Sequence, residues 1–249
     1  MFNNVNKCVV VLSGGLDSTI LTHSLVDELG KDNVVALSYN YGQKQSHELT
    51  LASKTCKSLG IEHKLIDISF LGDIVGKVSA NIKGSDIDMP TIQDVIGDPQ
   101  PPTYVPYRNM ILNSIAFSFA ESNGCDTIAT GLQIHDEYGY WDTSKQFVDS
   151  MNQVSSCNRT HQIKMIAPFA ELTKHDELEL LKVIYNDISV AKDTITCYNP
   201  NVKNESCGTC PSCSERISAF GMLGEPDPIE YSIDLDWDKI CVQFSEVVT

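Results

Sequence analysis

The chain has 249 residues, 42% of them hydrophobic, and a formal net charge of −15. That length and apolar content support one large α/β domain, or one domain with a small appendage, and exclude a disordered chain. So acidic a surface repels phosphate backbones, which excludes stable binding of tRNA or DNA as an expectation. No stretch reaches the roughly 20 apolar residues needed to span a bilayer, and residues 1–8 lack the basic and apolar regions of a signal peptide. A cytoplasmic protein with no membrane partner is therefore expected.

The run Cys8-Val-Val-Val-Leu12 is of strand type and ends at Ser13-Gly14-Gly15. Apolar residues then recur at Leu16, Ile20, Leu21, Leu25 and Leu29, a helical spacing closed by Gly30. Residues 34–39 read as a second strand. Leu49, Ala52, Cys56 and Leu59 mark one face of a second helix, closed by Gly60, and residues 64–68 read as a third strand. This order implies parallel strands joined by crossover helices.

Residues 70–104 break the rhythm with Pro90, Pro99, Pro101, Pro102 and several Asp, and read as an irregular active-site loop or lid. The pattern resumes with an almost wholly apolar, central helix at 110–120. Next come a strand at 127–130 ending in Gly131, a helix at 147–154 and a strand at 163–166. Leu178, Leu181 and Tyr185 give a further helical face.

Ser13-Gly14-Gly15-Leu16-Asp17-Ser18 joins the first strand to the first helix, the position where an open α/β sheet binds ligands. Gly14 and Gly15 let the backbone approach an anion, Ser13 and Ser18 offer hydroxyls, and the helix N-terminus supplies free N–H groups and a favourable dipole. Such a site tolerates an acidic surface, because backbone N–H groups and Mg²⁺ supply a local positive field. Asp17 is placed either to cap the helix or to hold Mg²⁺. The loop is neither a Walker A motif nor a dinucleotide fingerprint.

There are nine cysteines. Cys8, Cys56, Cys125, Cys157 and Cys241 are scattered and read as buried, inert thiols. Cys197, Cys207, Cys210 and Cys213 are clustered, which in a cytosolic chain points to a metal before disulfides. Four thiolates suit one tetrahedral Zn²⁺, which would be structural; a [4Fe–4S] cluster is the alternative. The expected organisation is an α/β domain over 1–190, a zinc-binding helical segment over 191–225 and an extension over 226–249.

The loop resembles the SGGxDS loop of the PP-loop ATP pyrophosphatases, an adenine nucleotide alpha hydrolase-like, Rossmann-like fold. That likeness implies cleavage of ATP between its α and β phosphates and transfer of AMP to an oxygen. The chain resembles one such family in particular, the 7-cyano-7-deazaguanine synthases (QueC). The marks are Val9 to Thr19, Tyr41-Gly42-Gln43 with Glu48, Val105-Pro106-Tyr107-Arg108-Asn109, and Thr130-Gly131. Asp136, Gly139-Tyr140, Asp142 and Phe147-Val148 follow, then Thr196-Cys197-Tyr198-Asn199 and Cys207-Gly208 with Cys210-Pro211 and Cys213.

The resemblance implies that 7-carboxy-7-deazaguanine is adenylated on its carboxylate, that ammonia displaces AMP, and that a second ATP converts the amide to the nitrile. ATP, Mg²⁺ and one structural Zn²⁺ per chain are the implied cofactors. Ser13, Asp17, Ser18 and Lys174 are the implied catalytic residues. Leu12, Gly14, Gly15, Leu16, Thr19, Arg108 and Gly131 would join the loop around ATP. Tyr41, Gln43, Asn109, Asp136, Gly139, Tyr140 and Asp142 would face the substrate. His135 reads as structural before catalytic. The partners are small molecules, with a homodimer admitted.

The sequence departs from the family pattern at Tyr107, where glycine is usual, at Trp141, where proline is usual, and at Thr143-Ser144, where Cys-Arg is usual. The competing readings are an amide-forming relative with another acceptor, a tRNA-modifying PP-loop enzyme, and an inactive nucleotide-binding module.

Overall fold

The computed structural model describes residues 2–98, 100–133 and 140–245. The elements run β1 (Cys8–Val11), α1 (Leu16–Leu29), β2 (Val34–Asn40), α2 (Glu48–Leu59), β3 (Glu62–Asp67), α3 (Phe70–Val75), α4 (Ile92–Val95), α5 (Arg108–Ser122), β4 (Thr127–Thr130), α6 (Lys145–Ser156), β5 (Lys164–Ile166), α7 (Lys174–Tyr185), α8 (Pro211–Leu223) and α9 (Trp237–Ser245). The five strands form one sheet in the order β3-β2-β1-β4-β5, every pair parallel.

Period-two alternation explains the continuous apolar run of β1. Cys8, Val10 and Leu12 enter the core beneath α1, α2, α7 and α8, while Val9 enters the core beneath α3, α5 and α6. A strand covered on both faces needs apolar residues at successive positions. The chain goes from β3 back across β1 to β4, so the strand order reverses beside β1. A crevice opens at the carboxyl ends of the strands there, and the loop after β1 faces it.

The structure corrects three expectations and adds one element. Residues 70–104 are not wholly irregular: α3 and α4 lie within them, and a Thr91–Asp94 capping box starts α4. The α5 helix is not wholly buried: Leu112, Ala116 and Ala120 pack into the core, whereas the apolar Met110 faces solvent. Cys157 is exposed and Cys241 half-buried. The C-terminal extension forms α9, which packs so closely on α8 that a Cβ on Gly221 would meet the Phe244 ring at 2.6 Å. Among the described residues no helix is long and apolar enough to cross a membrane.

One buried ion pair ties the C-terminal segment down. Arg216 of α8, fully buried, donates from Nε to Asp227 Oδ2 (2.6 Å) and from Nη2 to Asp227 Oδ1 (2.9 Å). It also donates to Thr194 Oγ1 at 2.7 Å and to the Ala191 carbonyl at 2.9 Å. Two residues from Ala191 the chain leaves the short 3₁₀ turn Ser189–Asp193, and the Ile195 N–H then donates to the Gly14 carbonyl at 3.1 Å.

Candidate active site

A cleft of about 240 Å³ lies at the carboxyl ends of β1, β2 and β4. Its floor is the loop after β1. The Ser13 and Ser18 hydroxyls are 3.0 Å apart, the Ser13 N–H donates to Ser18 Oγ at 3.1 Å, and the Gly15 N–H donates to Ser13 Oγ at 3.1 Å. Gly14 adopts φ +92°, and a Cβ there would collide with the Glu48 carbonyl oxygen. A Cβ on Gly131 would stand 3.1 Å from the Ser18 nitrogen. Glycine at both positions thus lets the loop pack closely against α2 and against the end of β4.

Lys174 is the cation of this floor. It is the first residue of α7, whose capping box pairs Thr173 with Asp176. Its Nζ lies 2.9 and 3.0 Å from the two Asp17 oxygens, 2.6 Å from Gln133 Oε1 and 3.5 Å from Glu215 Oε2. Gln133 Nε2 donates to Glu177 Oε1 at 2.6 Å. Burial and the adjacent Asp17 charge push the Glu177 carboxyl well above the usual carboxylate range. Gln133, Glu177 and Glu215 were not singled out in the sequence. The one local signal was the spacing of Lys174 and Glu177, which puts both on the same helical face.

The opposite wall carries Arg108 and Tyr41. Arg108 Nη1 donates to the Tyr41 hydroxyl at 3.4 Å, and the guanidinium lies 5.9 Å from the Tyr41 ring centre. Asn109 and Tyr140 also reach the cleft. Asp142, by contrast, is buried and caps α5: its Oδ2 accepts the Asn109 N–H at 3.1 Å, and its carbonyl accepts Asn109 Nδ2 at 3.1 Å. Gln43 is buried in the turn after β2, accepting the Tyr41 N–H (2.8 Å) and donating to the Tyr39 carbonyl (3.0 Å) and to Glu48 Oε1 (3.1 Å). Neither Asp142 nor Gln43 lines the cleft. Leu16 and Thr19 are fully buried in α1 beneath the loop. Asp136, Gly139 and His135 lie outside the described residues.

Glu48 and Gln45, at the start of α2, do line the cleft, and both are 7% exposed. Burial pushes the Glu48 carboxyl up to about 8, against the opposing influence of Gln43 and Arg108.

The four clustered cysteines bring their sulfurs within 4.8 Å of one another, with Cys207 and Cys213 Sγ 3.9 Å apart. One tetrahedral ion with metal–sulfur bonds of about 2.3 Å separates its ligands by about 3.8 Å. A cubane, which binds each thiolate to a different iron, needs a wider arrangement. Backbone N–H groups of Asn199 and Cys207 point at Cys197 Sγ (3.3 and 3.2 Å), and that of Cys210 at Cys207 Sγ (3.3 Å). These donors suit sulfur in its anionic, metal-binding form. The metal segment also supplies a wall of the cleft through Ile195, Thr196, Tyr198 and Ser212.

Known proteins resemble this chain over most of its length. The family model described as "Queuosine biosynthesis protein QueC" matches residues 7–224. The chain is similar to a 7-cyano-7-deazaguanine synthase of Caldicellulosiruptor saccharolyticus, 37% identical over 94% of this chain and 99% of the relative. It is similar also to one of Marinomonas sp., 37% identical over 90% of this chain and 98% of the relative. Among solved structures, the U34-tRNA thiolase NcsA of Methanococcus maripaludis aligns over 99% of this chain and 73% of its own, with a TM-score of 0.46 and 19% identity.

Proposed function

The chain belongs to the QueC family of 7-cyano-7-deazaguanine synthases, ligases of queuosine biosynthesis, and from that membership we propose how its cleft makes the nitrile. The observation that carries the reading is the anion cradle at Ser13–Ser18 facing Arg108 across one cleft. A carboxylate held by Arg108 attacks the α-phosphorus of ATP. The bond to the β-phosphate breaks, and pyrophosphate leaves into the cradle, where Ser13, Ser18 and the Gly15 N–H hold it.

Carboxylate oxygen is a poor leaving group and AMP a good one, so ammonia can then displace AMP at the acyl carbon. The product is a primary amide. A second ATP adenylates the amide oxygen, and loss of AMP with the amide protons leaves the nitrile. The protein's part is chiefly to position reactants and stabilise phosphate charge. Lys174 exchanges Asp17 for the α-phosphate, and the freed Asp17 carboxylate is the residue that would hold Mg²⁺, whose chemistry is to neutralise the leaving pyrophosphate. Cys197, Cys207, Cys210 and Cys213 would hold one Zn²⁺ in a closed, structural site.

The test is mass spectrometry of the products formed from ATP, ammonia and 7-carboxy-7-deazaguanine. The expected products are the nitrile, AMP and pyrophosphate. An active enzyme that releases ADP and phosphate, or that stops at the amide, would overturn the scheme.

A further inference from the structure

Gln45 and Glu48 are two buried polar side chains in the cleft with hydrogen-bonding capacity left over. Gln45 Oε1 is buried without a hydrogen-bond partner among the described residues. Glu48 receives one side-chain hydrogen bond, from Gln43 Nε2 to Oε1 at 3.1 Å. Buried groups of this kind cost free energy unless a ligand completes them. Neither side chain is needed to start α2, which is entered through backbone bonds, with the Glu48 N–H donating to the Gln45 carbonyl at 3.0 Å.

Their placement limits what that ligand is. The Glu48 carbonyl packs directly on the Gly14 backbone, so this acid is pinned against the anion cradle. Arg108 and Glu48 line the same cleft, so a fixed cation and a fixed acceptor face one ligand space. A ligand that carries an anion at one end and a row of N–H donors at the other matches both.

Resting on the proposed function above, we propose that Glu48, steadied by Gln43 and assisted by Gln45, reads the donor edge of the deazaguanine, its ring N–H and exocyclic amine, while Arg108 takes the carboxylate. Ionised, Glu48 accepts two parallel N–H bonds, as a carboxylate does from a guanidinium, and a ligand's two donors favour that ionised form against the burial that otherwise raises its pKa. Adenine offers one donor and one acceptor on the equivalent edge, so the same acid disfavours ATP's base there. A site built on such bonds rejects an analogue lacking the donor, because its own buried groups then stay unpaired.

The experiment compares calorimetric binding of 7-carboxy-7-deazaguanine and of the analogue without the exocyclic amine. Wild type is expected to prefer the amino compound by about 10- to 100-fold. Glu48→Gln should lose most of that preference while still binding ATP, and Gln45→Leu, a second and milder variant, should reduce it; thermal melting checks that each is folded. Equal binding of the two compounds by wild type overturns the proposal. So does a folded Glu48→Gln that keeps the full preference, or one that loses ATP binding and keeps it. A wild type that binds neither compound and makes no nitrile defeats the function itself, a separate result from failure of this subsite.

Discussion

Lys174 and Asp17 meet in a two-pronged ion pair, 2.9 and 3.0 Å from Nζ to the carboxylate oxygens, although they lie on different helices 157 residues apart. The ammonium is only 7% exposed, and Glu215 stands 3.5 Å away on its other side. Removing the lysine strands carboxylates in a protected site. Lys174→Met should destabilise by about 3 kcal/mol or more, the usual penalty for breaking a buried pair from one side. Asp17→Asn with Lys174→Met should recover part of that loss in urea titrations. Pyrophosphate exchange should fall by about 10²- to 10³-fold in either single variant. A stable Lys174→Met with wild-type exchange would remove this lysine from both roles.

A second prediction concerns acid. His23 sits on α1 with Nδ1 2.6 Å from the Tyr185 hydroxyl of α7, and burial lowers its imidazole from 6.5 to about 4. The unfolded chain therefore binds a proton before the folded one does. Stability from neutral His23 is fully present above pH 6.5 and is lost as pH falls toward 4. The loss across that window is about 3 kcal/mol at most. His23→Gln should flatten this part of the pH–stability curve, whatever it does to the neutral plateau. Parallel curves for the two proteins between pH 6.5 and 4 would contradict the assignment.

The third prediction is that the metal supports the nucleotide loop. From sequence alone the cysteine segment is a clip remote from chemistry. In the structure, Ile195 N–H bonds the Gly14 carbonyl at 3.1 Å, two residues before the ligand Cys197, and Arg216 fixes Thr194 at 2.7 Å. Chelation, or Cys210→Ser, should weaken ATP binding by about tenfold, equivalent to about 1.4 kcal/mol. Amide exchange at residues 13–18 should speed up along with that at 194–198. Elemental analysis should find one zinc per chain in colourless protein. Loss of the metal with unchanged ATP affinity would show the clip to be independent of the loop.

Strand and helix order followed from local rules in the chain: alternation at Val9 and Val10, faces repeating every three or four residues, and glycines at the turns. The anion loop and the four cysteines were legible because each lies within a short stretch whose spacing reflects its chemistry. Gln133 and Glu215 were not, because the segment after β4 and α8 reach Lys174 only through tertiary packing, whereas Glu177 shares a helical face with Lys174. Gln43 looked like a ligand contact, yet it satisfies backbone groups of its own turn and Glu48 instead. Pro90 masked α4, although the Thr91–Asp94 capping box was present as a signal. The spacing of Trp237, Ile240 and Phe244 is likewise a helical signal that the reading of 226–249 as an extension left unused.

The last prediction joins two departures from the family pattern. Tyr107 takes φ +54°, the left-handed region, as the residue capping α5. A glycine meets that conformation without strain, whereas a side chain costs about 1 kcal/mol there. The tyrosine is held by its surroundings: its N–H donates to the Tyr104 hydroxyl at 3.0 Å, and its ring meets Trp141 edge-on with centres 5.2 Å apart. Trp141 Nε1 donates to the same Tyr104 hydroxyl at 2.7 Å. The unusual tryptophan therefore compensates the unusual tyrosine. Tyr107→Gly should be near neutral, since relieved strain offsets a lost aromatic contact of about 0.5–1.5 kcal/mol. Trp141→Ala in wild type should destabilise by more than Trp141→Ala in the Tyr107→Gly background. The difference, read from denaturant midpoints as a double-mutant cycle, should be about 1 kcal/mol. Additive effects would show that the two substitutions arose on independent structural grounds.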